Sequence, residues 1–353
     1  MVKHVTIAID GMGGDNGPEV VLAGVELALS HRPDASFIIY GNEDILTPIV
    51  AGLPELSMVS EIRHCETSIA MDAKPSQALR QGRKTSSMWQ AIDAVKQGEA
   101  DAIVSAGNTG ALMAMSKIIL KTLPGIQRPA IACLWPTIKG ETVVLDVGAT
   151  VGGTAQQYLQ FAVMGDAYAR IIFGIDNPRI ALLNIGEEDV KGTDEVKLAA
   201  DLLADSPLNF KGFVEGNGIG QGSADVIVTD GFTGNVALKT AEGTALQMST
   251  YLKQVMSSSI WSKIGFFFAQ SAFRALKMRM DPNNMNGGMF LGLNGVVVKS
   301  HGGANATGIA SAVELAMEVA SGYMSDRIAQ ELTYFDDTTT PLDPKPSENA
   351  EVI

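Results

Sequence analysis

Short, β-branched apolar runs recur along this chain, most of them followed by a glycine-bearing polar turn and then a helical pattern. The runs are VTIAI (5–9), SFIIY (36–40), AIV (102–104), AIACLW (130–135), TVVLD (142–146), IALLNI (180–185), DVIVT (225–229) and GVVVKS (295–300). Between them lie amphipathic segments such as EVVLAGVELALSH, SMWQAIDAVKQG, GALMAMSKIILKTL and DEVKLAADLLA. Strands that are apolar on both sides must be covered on both faces, and intervening helices supply the crossovers that parallel pairing needs. The pattern predicts an α/β fold, a three-layer and mostly parallel sheet with helices on both faces. With 353 residues, 46% of them hydrophobic, the chain can bury a core of that size. The expected organisation is one α/β catalytic domain over 1–335, carrying a helical hairpin at about 243–285. The polar, proline-rich DDTTTPLDPKPSENAEVI at 336–353 reads as a disordered tail.

Six strand-end turns stand out: DGMGGD (10–15), SAGNTGA (105–111), LDVGATVGG (145–153), NIGEEDVKG (184–192), TDGFTGN (229–235) and KSHGGAN (299–305). In an open parallel sheet such turns share the edge where α/β proteins bind ligands. The expectation is therefore a single polar, anion-tolerant cleft in which glycines let backbone N–H groups approach a ligand.

Several chemistries are disfavoured. A net charge of -13 argues against a broad cationic face for nucleic acid. Cys65 and Cys133 fit a reducing compartment and give neither a disulfide framework nor a zinc spacing. The histidines at 4, 31, 64 and 301 have no ligand spacing, so no metal is expected, and no cofactor either. There is no G-x-S-x-G elbow, and neither cysteine lies on a polar turn. VTIAID is too short for a signal peptide, and no apolar stretch reaches the roughly 20 residues of a membrane span. The expected location is the cytoplasm.

Individual residues admit two readings. Asp10 and Asp15 either fix their turn through side-chain bonds to backbone N–H groups or orient a cationic or hydroxyl group. Asn108 and Thr109, beside Gly107, either cap a helix or form a phosphate site at its N-terminus. TDGFTGNVALK repeats that design with Thr233, Gly234 and Asn235. Lys191 is either a solvated loop lysine or a point charge for phosphate. His301 is either a hydrogen-bonding support or a proton donor or oxyanion partner.

From Gly243 to Met280 the chain has no acid and five basic residues, Lys253, Lys263, Arg274, Lys277 and Arg279. Trp261, Phe266, Phe267 and Phe268 cluster there around Gly265. This segment reads as a hairpin buried in a dimer, as an amphipathic tip in an anionic membrane surface, or as a dock for an acidic partner.

The stretches IAIDGMGGDNGP, KPSQALR with SSMWQAI, ADAIVSAGNTGALM, VVLDVGA, LLNIGEEDVKGT, GFVEGN, ADVIVTDGFTGNVALK and FLGLNGVVVKSHGGAN together resemble the bacterial phosphate acyltransferases, from about Val5 to Tyr334. The resemblance implies a fold related to isocitrate and isopropylmalate dehydrogenases and to phosphotransacetylases. It implies transfer of a fatty acyl group from acyl–acyl carrier protein to phosphate, giving acyl phosphate on the route to phosphatidic acid. It further implies a homodimer, peripheral contact with an anionic membrane through Trp261, Lys263, Phe266, Phe267, Phe268, Arg274 and Lys277, and a downstream glycerol-3-phosphate acyltransferase. On this resemblance Asn108, Thr109, Lys191 and Asn235, with Gly107 and Gly234, are expected to hold phosphate and the oxyanion. His301 would support or protonate the leaving thiolate. Asp10, Asp15, Asp146 and Asp230 would orient the loops. Thr150, Gly218 and Asn286 depart from the usual family pattern, which has Asn, an acid and an aromatic residue at those places. Two other classes remain: a nicotinamide-dependent dehydrogenase on the related fold, and a non-catalytic membrane scaffold.

Overall fold

The computed structural model describes residues 4–273 and 287–321. The 336–353 tail, the end of the 243–285 segment, Arg274, Lys277 and Asn286 lie outside the described residues. The first half of the chain forms β1 (Val5–Asp10), α1 (Gly17–His31), β2 (Ala35–Gly41), α2 (Glu43–Ala51), α3 (Pro54–Val59) and β3 (Ser60–His64). It continues with α4 (Pro75–Gly82), α5 (Ser87–Gln97), β4 (Ala102–Ser105), α6 (Thr109–Ile119), β5 (Ala130–Thr137), β6 (Gly140–Leu145) and α7 (Ala155–Phe173). Then come β7 (Ile180–Leu183), α8 (Asp194–Ala204), β8 (Phe210–Val214), α9 (Gly216–Gln221), β9 (Val226–Val228), α10 (Gly231–Ser257) and α11 (Ile260–Phe268). The described chain closes with β10 (Gly288–Leu291), β11 (Val296–Lys299) and α12 (Ala306–Ser321).

All eight apolar runs are strands of one 11-stranded sheet, ordered β3-β2-β1-β4-β11-β10-β5-β6-β9-β7-β8. Alternate residues feed two cores. Ile7, Ile9 and Val104 pack with α1, α7, α8 and α12 on one face. Ala8, Ile103 and Val297 pack with α4, α5, α6 and α9 on the other, joined by Ala237 and Leu238 of α10. The sheet is thus covered on both sides, as expected of strands without a polar face.

One expectation fails. The six polar turns do not share an edge. β3, β2, β1, β4 and β11 are mutually parallel, but β10 is antiparallel to both β11 and β5, and β5 is antiparallel to β6. Parallel pairing then resumes through β6, β9, β7 and β8, now pointing the other way. The turns after β1, β4 and β11 therefore leave one edge, and those after β6, β7 and β9 leave the opposite one. The cause is local: only Ile138 and Lys139 separate β5 from β6, too few residues for a parallel crossover.

Candidate active site

At the first edge, Asp10 ends β1 with its carboxylate buried. It accepts hydrogen bonds from the Ser87 hydroxyl at 2.6 Å and the Ser105 hydroxyl at 2.7 Å. The Ser105 oxygen in turn accepts from the Gly107 N–H at 3.0 Å. One carboxylate thereby ties together the end of β1, the start of α5 and the end of β4. Burial raises its pKa, while the hydroxyls and Lys299 oppose that rise. Asp15 is exposed, and its N–H donates to the Gly302 carbonyl at 2.8 Å, locking the first turn onto the one after β11.

Asn108 caps α6, its Oδ1 accepting from the Ala111 N–H at 2.9 Å. Its amide nitrogen donates to the Met71 carbonyl at 2.6 Å and the Ala73 carbonyl at 3.0 Å. The side chain is thus committed to holding the 71–73 segment over the turn. Gly107 is buried beside it and Thr109 is half-buried at the first helical position.

The sequence reasoning passed over Lys299, the last residue of β11. Its ammonium group is buried, donating to the Ala106 carbonyl at 3.1 Å and to the Ser300 carbonyl. Burial pulls its pKa down to about 8; Asp10 and Asp15 resist, and Lys239 reinforces the fall. The one signal in the sequence was a lysine closing an otherwise apolar strand, an ordinary placement that does not by itself announce burial.

At the second edge, Asp146 is buried after β6. It accepts from the N–H groups of Ile131 at 2.9 Å, Gly148 at 3.3 Å and Ala149 at 3.0 Å. Burial nevertheless raises its pKa. Asp230 caps α10, with Oδ1 accepting from the N–H groups of Phe232 at 3.0 Å and Thr233 at 3.1 Å. Thr150, one of the departures from the family pattern, accepts from the Gly231 N–H at 3.0 Å and so seats the same helix start. Gly234 allows that start to press on the Asp146 turn, since a Cβ there would lie 1.9 Å from the Asp146 carbonyl oxygen. Gly218 is a packing glycine: a Cβ would fall 2.4 Å from a Val214 methyl.

The two edges are joined by α10. This 27-residue helix starts at the turn after β9 and is about 40 Å long. Asn235 and Lys239 are one turn apart on it and so share a face. Asn235 lies against the turn after β6: a Cβ at Gly148 would sit 3.8 Å from its amide. Lys239 reaches the turn after β11, with Nζ 2.9 Å from His301 Nε2 and 2.7 Å from Glu242 Oε2. Lys239 was also missed, although four residues after Asn235 on a helix is a readable spacing. His301 Nδ1 lies 3.1 Å from the Gly303 nitrogen. Burial and Lys239 lower the His301 pKa, which favours the neutral ring. With Nε2 facing the Lys239 ammonium, which can only donate, the ring serves as an acceptor that holds Lys239 in place.

Cys133 of β5 lies near both Glu242 and Asp146, and its thiol is pushed up to about 12 by burial and those carboxylates. It is held protonated and is a poor nucleophile. Lys191 sits on the exposed turn after β7, its carbonyl accepting from the Asn184 amide at 3.2 Å. Among the described residues its side chain makes no hydrogen bond or ion pair to Asn108, Thr109, Asn235 or His301; Lys239 contacts His301, Asn235 lies one turn before Lys239 on α10, and Lys191 stands apart on its own turn. No three His, Cys, Asp or Glu side chains converge on a metal-sized site among the described residues.

Away from the cleft, α11 presents an exposed surface. Trp261 is 82% exposed, Phe267 71% and Phe268 80%, with Phe266 and Lys263 also exposed. No helix among the described residues is long and apolar enough to cross a membrane.

Comparison with known proteins agrees with this architecture. Residues 5–327 match the family described as "Fatty acid synthesis protein". The phosphate acyltransferase of Parvibaculum lavamentivorans is 55% identical over 97% of this chain and 95% of its own length. That of Azorhizobium caulinodans is 55% identical over 94% of each chain. Among solved structures, a phosphotransacetylase from Streptococcus pyogenes superposes with a TM-score of 0.59 at 20% identity, covering 94% of both chains. A putative 4-hydroxythreonine-4-phosphate dehydrogenase from Salmonella typhimurium gives 0.52 at 14% identity over 90% of this chain and 100% of its own. These two share the fold. The chain belongs to the phosphate acyltransferase family and is an acyltransferase.

Proposed function

We propose that this protein moves a fatty acyl group from the thioester of acyl–acyl carrier protein to inorganic phosphate, releasing acyl phosphate for a glycerol-3-phosphate acyltransferase. The observation that carries the reading is the α10 face, where Asn235 and Lys239 offer donors, Lys239 backed by His301, while the nearby Cys133 thiol is held protonated. Such a site suits a reaction whose nucleophile arrives with the substrate.

Phosphate is partly dianionic at neutral pH and needs little activation to attack a thioester carbonyl. The enzyme's task is to hold it in line, screen its charge and stabilise the tetrahedral oxyanion. Asn235 and the turn N–H groups beside Gly107, Thr109 and Gly234 contact phosphate or the oxyanion. Lys191 adds charge at the rim. Lys239 supplies the cation that donates to the oxyanion or the departing sulfur, and His301 supports it through Nε2. Asp10, Asp15, Asp146 and Asp230 hold the turns in place. The P–O oxygen forms a bond to the acyl carbon, the C–S bond breaks, and the sulfur leaves as thiolate or, protonated, as thiol. No acyl-enzyme intervenes.

The protein works in the cytoplasm as a homodimer, resting α11 on an anionic membrane through Trp261, Lys263, Phe266, Phe267 and Phe268. The direct test is thiol release from acyl–acyl carrier protein with and without phosphate, with acyl phosphate trapped by hydroxylamine. Phosphate-dependent release matched by trapped product supports the reading. Release without phosphate assigns water as acceptor and overturns it, and radiolabelled acyl-enzyme would refute the direct step.

A further inference from the structure

We infer that the surface formed by α4 and α6 docks the acidic carrier protein, whose acyl-bearing arm enters the cleft past Gly110. The inference rests on the proposed donor. In a chain of net charge -13, residues 73–92 contain no acid and four cations, and residues 102–140 again contain no acid and four cations. The fold packs parts of these two stretches side by side, because α4 and α6 are in contact. Lys74, Arg80, Arg83, Lys84, Lys117 and Lys121 are all exposed there. None of the six is ion-paired among the described residues.

Between α4, α5 and α6 lies a groove of about 430 Å³ lined by Ser76, Leu79, Arg80, Arg83, Trp89 and Ile118. Its apolar floor is recessed, since Trp89 is buried and Leu79 half-buried, and cations stand around it. That arrangement fits an acidic helix presenting an apolar side chain. Ile118 alone of the lining apolar residues is exposed, whereas a bilayer would call for a cluster of protruding aromatic groups such as Trp261, Phe267 and Phe268 on α11.

The groove leads to the candidate active site. Pro75, the first residue of α4, faces Gly110: a Cβ there would lie 2.9 Å from the proline ring. Gly110 follows Thr109 directly. Asn108, through the Met71 and Ala73 carbonyls, fixes the entry of α4 to the same turn. A partner seated on α4 and α6 is therefore held at the mouth of the cleft, and the 11 residues of α6 span about 16 Å from that mouth outward.

The test compares two donors in wild type and in R80E/R83E: acyl–acyl carrier protein, and S-acyl-pantetheine, which has the thioester but no acidic protein. The variant is expected to raise KM for the carrier-borne donor by roughly tenfold or more and to weaken its salt dependence. Turnover of S-acyl-pantetheine is expected to stay unchanged. Equal effects on both donors, or on neither, overturn the docking assignment. If wild type turns over neither donor, the proposed reaction falls, and titration of holo-carrier protein decides docking separately. Binding lost in R80E/R83E then supports it, and no binding to wild type overturns it. Loss of binding to anionic vesicles with carrier KM unchanged would reassign the face to the membrane.

Discussion

The turns after β1, β4 and β11 and those after β6, β7 and β9 are made of the same residue types, yet they differ in what those residues are tied to. In the first group, Asp10, Ser87, Ser105 and Lys299 are buried and bonded to one another or to backbone, and Asn108 is committed to capping and to a neighbouring loop. In the second group the buried acid, Asp146, braces a turn, while Asn235 and Lys191 remain exposed. Side chains already committed to the protein shape a site; those left at its surface are available to a substrate. The first edge thus acts as the anvil of the cleft. The second, through α10, supplies exposed contacts.

The comparison breaks most visibly if Asn235 proves dispensable. Asn235→Ala is expected to lower kcat for phosphate-dependent thiol release by about 10²–10³ with an unchanged unfolding midpoint, the scale of losing one oxyanion donor. Asn108→Ala is expected to act on the other observable, lowering stability through the lost cap by about 1 kcal/mol. If the two variants exchange behaviours, the division between shaping and contacting residues is wrong.

Asp10→Ala probes the anvil itself. It leaves two buried hydroxyls and the Lys299 ammonium without their carboxylate, and about 2–4 kcal/mol of stability is expected to be lost in urea unfolding. Asp10→Asn keeps an acceptor and is expected to lose less. A variant that unfolds at the wild-type midpoint would show that the network is not what holds the three turns together.

Lys299 gives a pH signature. Its pKa in the fold, about 8, lies below its ordinary value of 10.5. Between those values the unfolded chain binds more protons than the native one, so this residue makes stability rise with pH from about 8 to 10.5. The penalty from keeping it charged is fully present below about pH 8. Lys299→Met is expected to flatten that rise by roughly 3 kcal/mol at most, read as the difference between variant and wild-type urea midpoints at each pH.

Much of the fold was legible in the sequence, because a strand buried on both faces must be apolar at consecutive positions. Of the three strands that escaped notice, two lack that mark and the third carries it only over Met289, Phe290 and Leu291, between two glycines. β3 (SEIRH) and β8 (FKGFV) are sheet edges with polar or glycine positions, and β10 (GMFL) has four residues. Strand direction was harder to read, since a strand's own residues do not encode it. The hint lay in the connection: six residues separate AIACLW from TVVLD, enough for a hairpin and too few for a crossover. The candidate site was legible as turns and illegible as a constellation. His301 meets the helix that carries Asn235 through Lys239, a contact created by the path of α10. Lys299 was hidden for a related reason: a lysine at a strand end is ordinary until the fold buries it.

The smallest effect sharpens the comparison at its rim. Lys191 is exposed on the turn after β7, so its attraction for phosphate acts through solvent and is screened by salt. Lys191→Ala is therefore expected to raise KM for phosphate by roughly three- to tenfold at low ionic strength, with kcat little changed, and the gap from wild type should narrow as salt is added. Lys191→Arg keeps the charge and should restore most of the affinity. Initial rates against phosphate at two ionic strengths separate the outcomes. A fall in kcat with KM unchanged, insensitive to salt, would mean that the β7 turn closes over the bound phosphate and that Lys191 acts in the transition state. Lys191 would then join Asn235 among the direct contacts, and the rim would become part of the site.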